Sequence, residues 1–347
     1  MFEVHHARPC PRGNHRRRRR PRLPEIPGGQ LWQWLHKQRV GDFSVMNNLP
    51  AALREALAAT GHAWGFRERE HLVSQDGLTE KWLYASDGAP IETALIREIR
   101  GRRRTVCVSC MCGCPVNCVF CATGQGGFTR NLRAAEIVEQ VYRADARCRE
   151  HDHEGLTNVV YMGMGEPLLN YDEVMRSAEI ISHPQGFNLG HRHLTISTMG
   201  VAPRILQLAQ EHPSFRLAIS LHATEQGQRE RLIPLAKKYP LDELLEALHR
   251  FAARTSRRLM IEYCLIREVN DRLEDAARLR QLLRGLPAQV NLIPLNPTPT
   301  CPYKTPEPRR VRAFQDALGD LPVTLREEKG RDIDAACGQL RARELQR

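Results

Sequence analysis

No apolar run in this chain approaches the roughly 20 consecutive residues that a bilayer span requires, so no membrane helix is expected. The amino terminus is charged but has no apolar stretch behind it, so a secretory signal is not expected. A cytoplasmic protein with no membrane partner is the expectation. There is no internal repeat, which removes solenoids and propellers from consideration. Acidic residues are nearly missing from residues 1–24. Glu3 stands there against eight Arg, so this segment holds +7 of the formal +11 and leaves +4 for the rest. The run Arg16 to Arg20 sits in a Pro-rich stretch with nothing to bury, and 1–24 is expected to be a disordered tail. Such a run can hold phosphates by counterion release, or it can be an extension with no role. No function is rested on it.

The 347 residues allow one large domain and a small appendage. With 41% hydrophobic and 26% charged residues the composition is ordinary for a soluble globular protein. The cysteines are not ordinary. Of eleven, six fall between Cys107 and Cys121, and without a secretion signal this clustering favours metal or redox chemistry over a disulfide framework.

Helical spacing of Leu31, Trp32, Leu35 and Val40, then of Ala51 to Ala59 after Leu49-Pro50, predicts helices over 29–61. His71 to Leu83 and Ile91 to Ile96 read as strands around the turn Asp76-Gly77. From Thr105 onward, short β-rich runs alternate with helical ones. The strands are expected at Thr105–Ser109, Asn158–Met162, His193–Thr198, Phe215–Leu221, Arg258–Cys264 and Gln289–Pro294. Helices are expected at Ala134–Arg147, Tyr171–Ser182, Ala202–Glu211, Leu241–Thr255, Leu273–Leu283 and Glu307–Leu318, with a short run Val323–Arg326 at the end. Such alternation implies a parallel sheet. The expected fold is α/β: a partial (β/α)6 barrel over 101–347, with functional loops at the strands' C-terminal ends, and a small, mainly helical accessory domain over 25–100.

The sharpest chemical signal is Cys114-Pro-Val-Asn-Cys118-Val-Phe-Cys121, in the loop after the first barrel strand. Three thiolates can hold three irons of a [4Fe–4S] cluster and leave the fourth iron free for a small molecule. This spacing on this loop resembles the signature of radical S-adenosylmethionine enzymes. A four-coordinate zinc site built from Cys107, Cys110, Cys118 and Cys121 is the other reading. Only seven residues separate those two pairs, short for a zinc framework.

The resemblance sharpens along the chain. Cys107-Val-Ser-Cys-Met-Cys-Gly-Cys114, Cys118-Val-Phe-Cys-Ala-Thr-Gly and Gly127-Phe-Thr-Arg-Asn-Leu132 resemble the RlmN/Cfr family of RNA adenine methyltransferases. So do Met162-Gly-Met-Gly-Glu-Pro167, Thr195-Ile-Ser-Thr-Met-Gly200, Ser220-Leu-His-Ala223, Asn291-Leu-Ile-Pro-Leu-Asn-Pro297 and Asp332-Ile-Asp-Ala-Ala-Cys-Gly-Gln-Leu340. Together these cover about residues 30 to 340.

Carbons 2 and 8 of adenine are poorly nucleophilic, so ordinary methyl transfer to them fails. The resemblance implies a detour. A methyl group is first placed on Cys337. A second S-adenosylmethionine, on the cluster, yields a 5′-deoxyadenosyl radical that takes a hydrogen from that methyl, and the carbon radical adds to adenine. The resulting crosslink is resolved when a base, Glu92 by the resemblance, removes a proton and Cys107 attacks Cys337, forming a transient disulfide. Cofactor contacts carried over by motif are Gly165, Glu166, Ser197, Ser220, Leu221, His222 and Asn296, with Cys114, Cys118 and Cys121 as cluster ligands. Alone, Cys337 would read as an inert buried thiol, His222 as a core histidine, and Glu92 as a solvated strand-end residue. The glycines of Gly124-Gln-Gly-Gly127 read as shaping the cluster loop.

The match departs in places. Cys110 and Met111 stand where the family pattern has Ser and Gln. Cys112 resembles the Cfr side, whereas Asp332–Leu340 is closer to RlmN. The fifteen residues from Glu92 to Cys107 are slightly more than the pattern, consistent with a short insertion in 97–104. The N-terminal domain is short at its start. The expected function is adenine carbon-2 methylation in 23S rRNA, tRNA or both, with a flavodoxin-like reductant and a monomer as the default state. Carbon-8 methylation, a zinc-stapled RNA-binding protein and a radical enzyme with a small-molecule substrate are the alternatives.

Overall fold

Two Asp-Gly pairs, Asp76-Gly77 and Asp87-Gly88, punctuate an alternating stretch, and each closes a hairpin. In the second, Asp87 and Gly88 both take positive φ, +47° and +82°, the geometry of hairpin turns that match strand twist. In the computed structural model, which describes residues 28–60, 63–98, 102–298, 301–326 and 329–340, these hairpins are β1 (Arg67–Val73), β2 (Thr79–Ser86) and β3 (Ala89–Glu98). The tail expected over 1–24 lies outside the described residues.

The β-rich runs further on become β4 (Arg103–Cys107), β7 (Asn158–Tyr161), β8 (Leu194–Thr198), β9 (Arg216–Ser220), β10 (Leu259–Leu265), β11 (Ala288–Pro294) and β12 (Val323–Leu325). The central strands are buried on both faces, as strands covered by helices must be: every residue of β8 is buried, and all but one of β10. A small ribbon, β5 (Met111–Gly113) with β6 (Phe128–Asn131), sits in the loop after β4. One ten-stranded sheet runs β1-β2-β3-β4-β7-β8-β9-β10-β11-β12. Pairings from β4 to β12 are parallel and those from β1 to β4 antiparallel. β1 and β12 do not pair, so the barrel is open.

Helices α1 (Gly28–Trp32) and α2 (Ala51–Thr60) precede the sheet, and α3 (Ala122–Gln125) lies in the β4 loop. The crossovers are α4 (Ala134–Asp152), α5 (Tyr171–Ser182), α6 (Ala202–Glu211), α7 (Gln226–Leu232), α8 (Leu241–Ala252), α9 (Leu273–Leu282) and α10 (Pro308–Ala317). Each returns the chain to the next parallel strand, which is the partial (β/α)6 barrel expected.

Strand pairing joins the two sides of the boundary expected at residue 100. The helical part ends at Thr60, and β1 to β3 pair directly into the barrel sheet through β3 and β4. The N-terminal helices keep their own core of Leu31, Phe43, Met46, Leu49, Leu53 and Leu57. A π-helical turn, Gln33–Gln38, presents His36 to the barrel, where its Nδ1 meets the Tyr142 hydroxyl of α4 at 2.9 Å. Arg39 Nη1 reaches Asp145 Oδ2 at 2.9 Å beside it.

Burial, with the neighbouring His183, pushes His36 down to about 4. Its unfolded value is near 6.5, so the neutral form is favoured in the fold. The contribution is intact above pH 6.5 and is lost as pH falls through about 4. We expect the apoprotein to lose up to about 2 to 3 kcal/mol of stability by this route between neutral pH and pH 4. His36→Gln should remove that part of the slope, as read by thermal unfolding at stepped pH. An unchanged slope in the variant would refute the assignment.

Candidate active site

Polypeptide ends converge where the parallel strands finish. The β4 loop folds back through a backbone hydrogen bond from Cys114 N–H to the Gly127 carbonyl at 3.0 Å. At Gly124 a Cβ would come within 2.9 Å of the Cys118 backbone nitrogen. These glycines therefore shape the cluster loop, as expected. Cys114, Cys118 and Cys121 all face one cavity of about 150 Å³. Burial raises all three thiols, Cys114 to about 12, so only a cationic group among them would hold them as thiolates.

The same cavity is lined by Gly165 and Glu166 after β7, Ser197 in β8, Ser220 and His222 at β9, Asn296 after β11, and Cys337. Gly165 has φ +112°, and a Cβ there would meet Met111 Cγ at 2.7 Å and Cys110 Sγ at 2.8 Å. Its backbone therefore passes closely over β5 to deliver Glu166. That carboxylate accepts from Met199 N–H at 2.7 Å and Leu168 N–H at 3.0 Å, while burial, the largest influence, raises it to about 7. A buried acid of this kind calls for a cation opposite it.

His222 sits at φ +57°, and its Nδ1 accepts the Cys264 N–H at 2.9 Å, so its neutral ring carries hydrogen on Nε2. Burial pushes it down to about 3. Asn296 Nδ2 donates to the Cys337 carbonyl at 3.2 Å, while its buried Oδ1 has no partner among the described residues.

Cys337 is exposed because it opens onto this cavity. Its segment is latched to the cluster loop by Ala122 N–H to the Gly338 carbonyl at 2.8 Å and by Thr123 Oγ1 to the Leu340 carbonyl at 2.9 Å.

Three expected residues fall outside the lining. Leu221 is buried with its N–H donating to the Glu262 carbonyl and its carbonyl accepting from Arg229, so it supports Ser220 and His222 without facing the cavity. Glu92 is not at a strand end. It lies inside β3, 3% exposed, in an ion pair with Lys81 Nζ at 3.2 Å. Cys107 ends β4, and burial and the nearby Cys337 push its thiol up to about 12. All described cysteines are free thiols. Cys110 and Cys112 are buried outside the lining.

Sequence reasoning missed Glu262 and Cys264 of β10, which complete the cavity. Burial raises the Glu262 carboxyl, and an acid inside an apolar strand was the available signal. It also missed Arg229, fully buried, which donates to carbonyls of Met199, Leu221 and Tyr239 and so ties the ends of β8 and β9.

The donor set fits an iron–sulfur cluster: three soft thiols share one cavity wall. The orphaned Asn296 Oδ1 and buried Glu166 await a ligand with an amino or amide donor. A three-thiol loop over the C-terminal mouth of a partial (β/α)6 barrel defines a radical S-adenosylmethionine enzyme, and the Radical SAM superfamily matches residues 108–280. Residues 28–62 match the ribosomal RNA large subunit methyltransferase N-terminal domain.

A probable dual-specificity RNA methyltransferase RlmN of Moorella thermoacetica is 46% identical over 327 residues, 92% of either chain. The dual-specificity RNA methyltransferase RlmN of Nautilia profundicola is 41% identical, covering 93% of this chain and 94% of its own. A crystal structure of a radical SAM methyltransferase from Sphaerobacter thermophilus superposes with TM-score 0.87 at 45% identity, over 90% of this chain and 92% of that one. The chain belongs to the RlmN family of radical S-adenosylmethionine RNA methyltransferases. It uses a [4Fe–4S] cluster and S-adenosylmethionine. No helix among the described residues is long and apolar enough to cross a membrane.

Proposed function

We propose that this enzyme methylates carbon 2 of an adenine in 23S rRNA, in tRNA, or in both, through a methyl group carried on Cys337. The observation that carries the reading is Cys337 itself: it opens onto the cavity lined by the three cluster thiols and Glu166, with Cys107 close behind it. The names of the relatives, dual-specificity RNA methyltransferases, support a choice of both RNAs. A flavodoxin-like reductant and a monomeric state complete the proposal.

S-adenosylmethionine and the cluster, when bound here, would supply the radical chemistry that activates the carried methyl group. Cys114, Cys118 and Cys121 would hold the cluster. Glu166 would take the ammonium of the methionine moiety, and Asn296 Oδ1 a donor of the same ligand. His222 would offer Nε2–H, and Ser197 and Ser220 their hydroxyls. Cys337 presents its methyl to the cavity, and the apolar walls of Val116, Phe120 and Leu295 keep water from it. Glu92 removes the proton from the attacked carbon. Cys107, its thiol pushed up to about 12 by burial, then attacks the Cys337 sulfur: an S–S bond forms, the S–C bond to the adduct breaks, and that carbon keeps the electron pair and takes the Cys107 proton to leave as the methyl group of the product. A resolving thiol that stays protonated until late does not quench the reaction early.

Two results are expected. Reconstituted enzyme with total RNA, reductant and cofactor should yield 2-methyladenosine by nucleoside mass spectrometry; 8-methyladenosine alone would overturn the position. Cys107→Ala and Glu92→Gln should each stall with protein joined to RNA, visible as a shifted band on a denaturing gel, with turnover down by at least about 10²-fold. A normal yield of methylated adenine from either variant would remove that residue from the scheme.

A further inference from the structure

Strand register sets three residues in a row across the sheet face that the C-terminal segment covers. Lys81 of β2 pairs with Ala94 of β3, and Ala94 with Cys107 of β4. Glu92 lies two residues before Ala94 and therefore on the same face. Lys81 is 2% exposed. Its Nζ donates to Glu92 Oε1 at 3.2 Å and to the Asp334 carbonyl at 3.1 Å.

Asp334 belongs to the segment that carries Cys337. Its neighbours Ile333 and Ala335 pack on Ala94, with Leu72 and Cys107 beside them. Asp332 Oδ2 accepts the Gln75 N–H at 2.8 Å. Gly330 presses on β2 so closely that a Cβ would lie 2.5 Å from Thr79 Cγ2. One ammonium thus touches the carboxylate of β3 and the backbone of the segment three residues before Cys337.

A buried ammonium persists only where its charge and donors are met. Either partner alone leaves Lys81 half satisfied, so the ionised carboxylate and the seated segment favour each other. We infer that Lys81 is a positioning residue: it keeps Glu92 ionised and aimed, and couples that state to closure of the Cys337 segment over the sheet. This rests on the reading of Glu92 as the base. In the step it supports, the C–H bond at the attacked carbon breaks, an O–H bond forms on Glu92, and the electron pair stays with the ring. Lys81 itself exchanges no proton. Titratable and charged groups on this face include Lys81 of β2, in contact with Glu92, and Cys107 of β4, with Arg326 acting on Cys107. The Glu92 N–H meets Met164 Sδ at 3.3 Å, its carbonyl accepts from Ser109 Oγ at 2.5 Å, and the C-terminal segment contributes Asp334 through Lys81.

The test is single-turnover decay of the protein–RNA adduct in the reconstituted enzyme, followed on denaturing gels from about pH 6 to about pH 9. Lys81→Met should move the midpoint of decay upward by about one to three pH units, with cofactor cleavage within about twofold of wild type. Lys81→Arg, which restores the charge, should return the midpoint to within about half a unit. If Lys81→Met shows the wild-type midpoint while Glu92→Gln still traps the adduct, the role of Lys81 is refuted and the base assignment stands. If Glu92→Gln traps nothing, both fall. Should Lys81→Met fail to fold, the double variant Lys81→Met with Glu92→Gln removes the buried charges together. It should decay at the rate of Glu92→Gln alone, and a further tenfold loss (about 1.4 kcal/mol, an additive effect) would refute the coupling.

Discussion

Cys337→Ala is expected to abolish RNA methylation while S-adenosylmethionine is still cleaved to 5′-deoxyadenosine. The loss should reach at least about 10³-fold, or about 4 kcal/mol in barrel-bound turnover, because the methyl group then has no carrier. Other thiols line the same cavity, and the expectation depends on why none replaces it. Cys114, Cys118 and Cys121 would hold the cluster. Cys264 lies in β10 and is 7% exposed, on the wall and out of reach of a macromolecule. Cys337 alone among the lining thiols is exposed. Cofactor cleavage should survive because the cluster loop and Glu166 keep their own hydrogen bonds without the Cys337 side chain. The measurement is paired: deoxyadenosine and methyladenosine from the same reaction. Methylated RNA from this variant would end the proposal. Loss of both products would point instead to a structural role, through the Gly338 and Leu340 latches onto α3.

Those latches explain how a short segment with little regular structure can place a reactive sulfur. Only one 3-10 turn, Arg331–Ile333, lies in it. It is held at one end by the β1–β2 hairpin, through Gln75 of the turn and Lys81 of β2, and at the other by the cluster loop. Asn296 Nδ2 holds the Cys337 carbonyl between them. Each hydrogen bond is modest by itself, but together they suspend Cys337 over the cavity from elements that belong to the barrel.

How much of this could be read beforehand follows from what local patterns encode. Parallel strands such as Leu194–Thr198 announce themselves because both faces are buried and the run is apolar throughout. The Cys114, Cys118 and Cys121 triplet is a contiguous motif, so its geometry is local. The joining of β3 to β4 was not legible. The stretch 97–104 reads as a short polar insertion, and the pairing of Ala94 to Glu98 with Cys107 to Arg103 reveals that the sheet continues from β3 to β4. By local pattern alone Glu92 reads as a solvated strand-end residue, and only the resemblance makes it the base. Its partner Lys81 is eleven residues away in sequence and adjacent only through register. Leu221 was carried over with its neighbours, but strand alternation turns every second residue away from the cavity. Glu262 and Arg229 were missed for the converse reason: charged residues inside apolar elements acquire meaning only when the cavity or carbonyls they serve are known.

Gly165→Ala should be far more damaging than Gly77→Ala, although both glycines have positive φ, +112° and +69°. Each substitution strains the backbone, at about 1 to 3 kcal/mol. At Gly77 that is the whole effect, since nothing lies within 4 Å of an added Cβ. At Gly165 the methyl would sit 2.7 to 2.8 Å from the Met111 and Cys110 side chains. Both of these are buried, so neither can swing into solvent. Overpacking adds about 1 to 3 kcal/mol, and the chain relieves it by lifting Gly165 away from β5. That displacement moves Glu166, whose carboxylate is held by Met199 and Leu168 N–H groups on either side. It also removes the Gly165 backbone contact that helps lower the Cys114 thiol. A shift of about 1 Å in a positioned group can cost about 10²-fold in rate. Cofactor cleavage should therefore fall by about that factor in Gly165→Ala, with a lowered thermal midpoint, and stay near wild type in Gly77→Ala. Equal behaviour of the two variants, in cleavage and in melting, would mean that the close passage over Cys110 and Met111 does not set the position of Glu166.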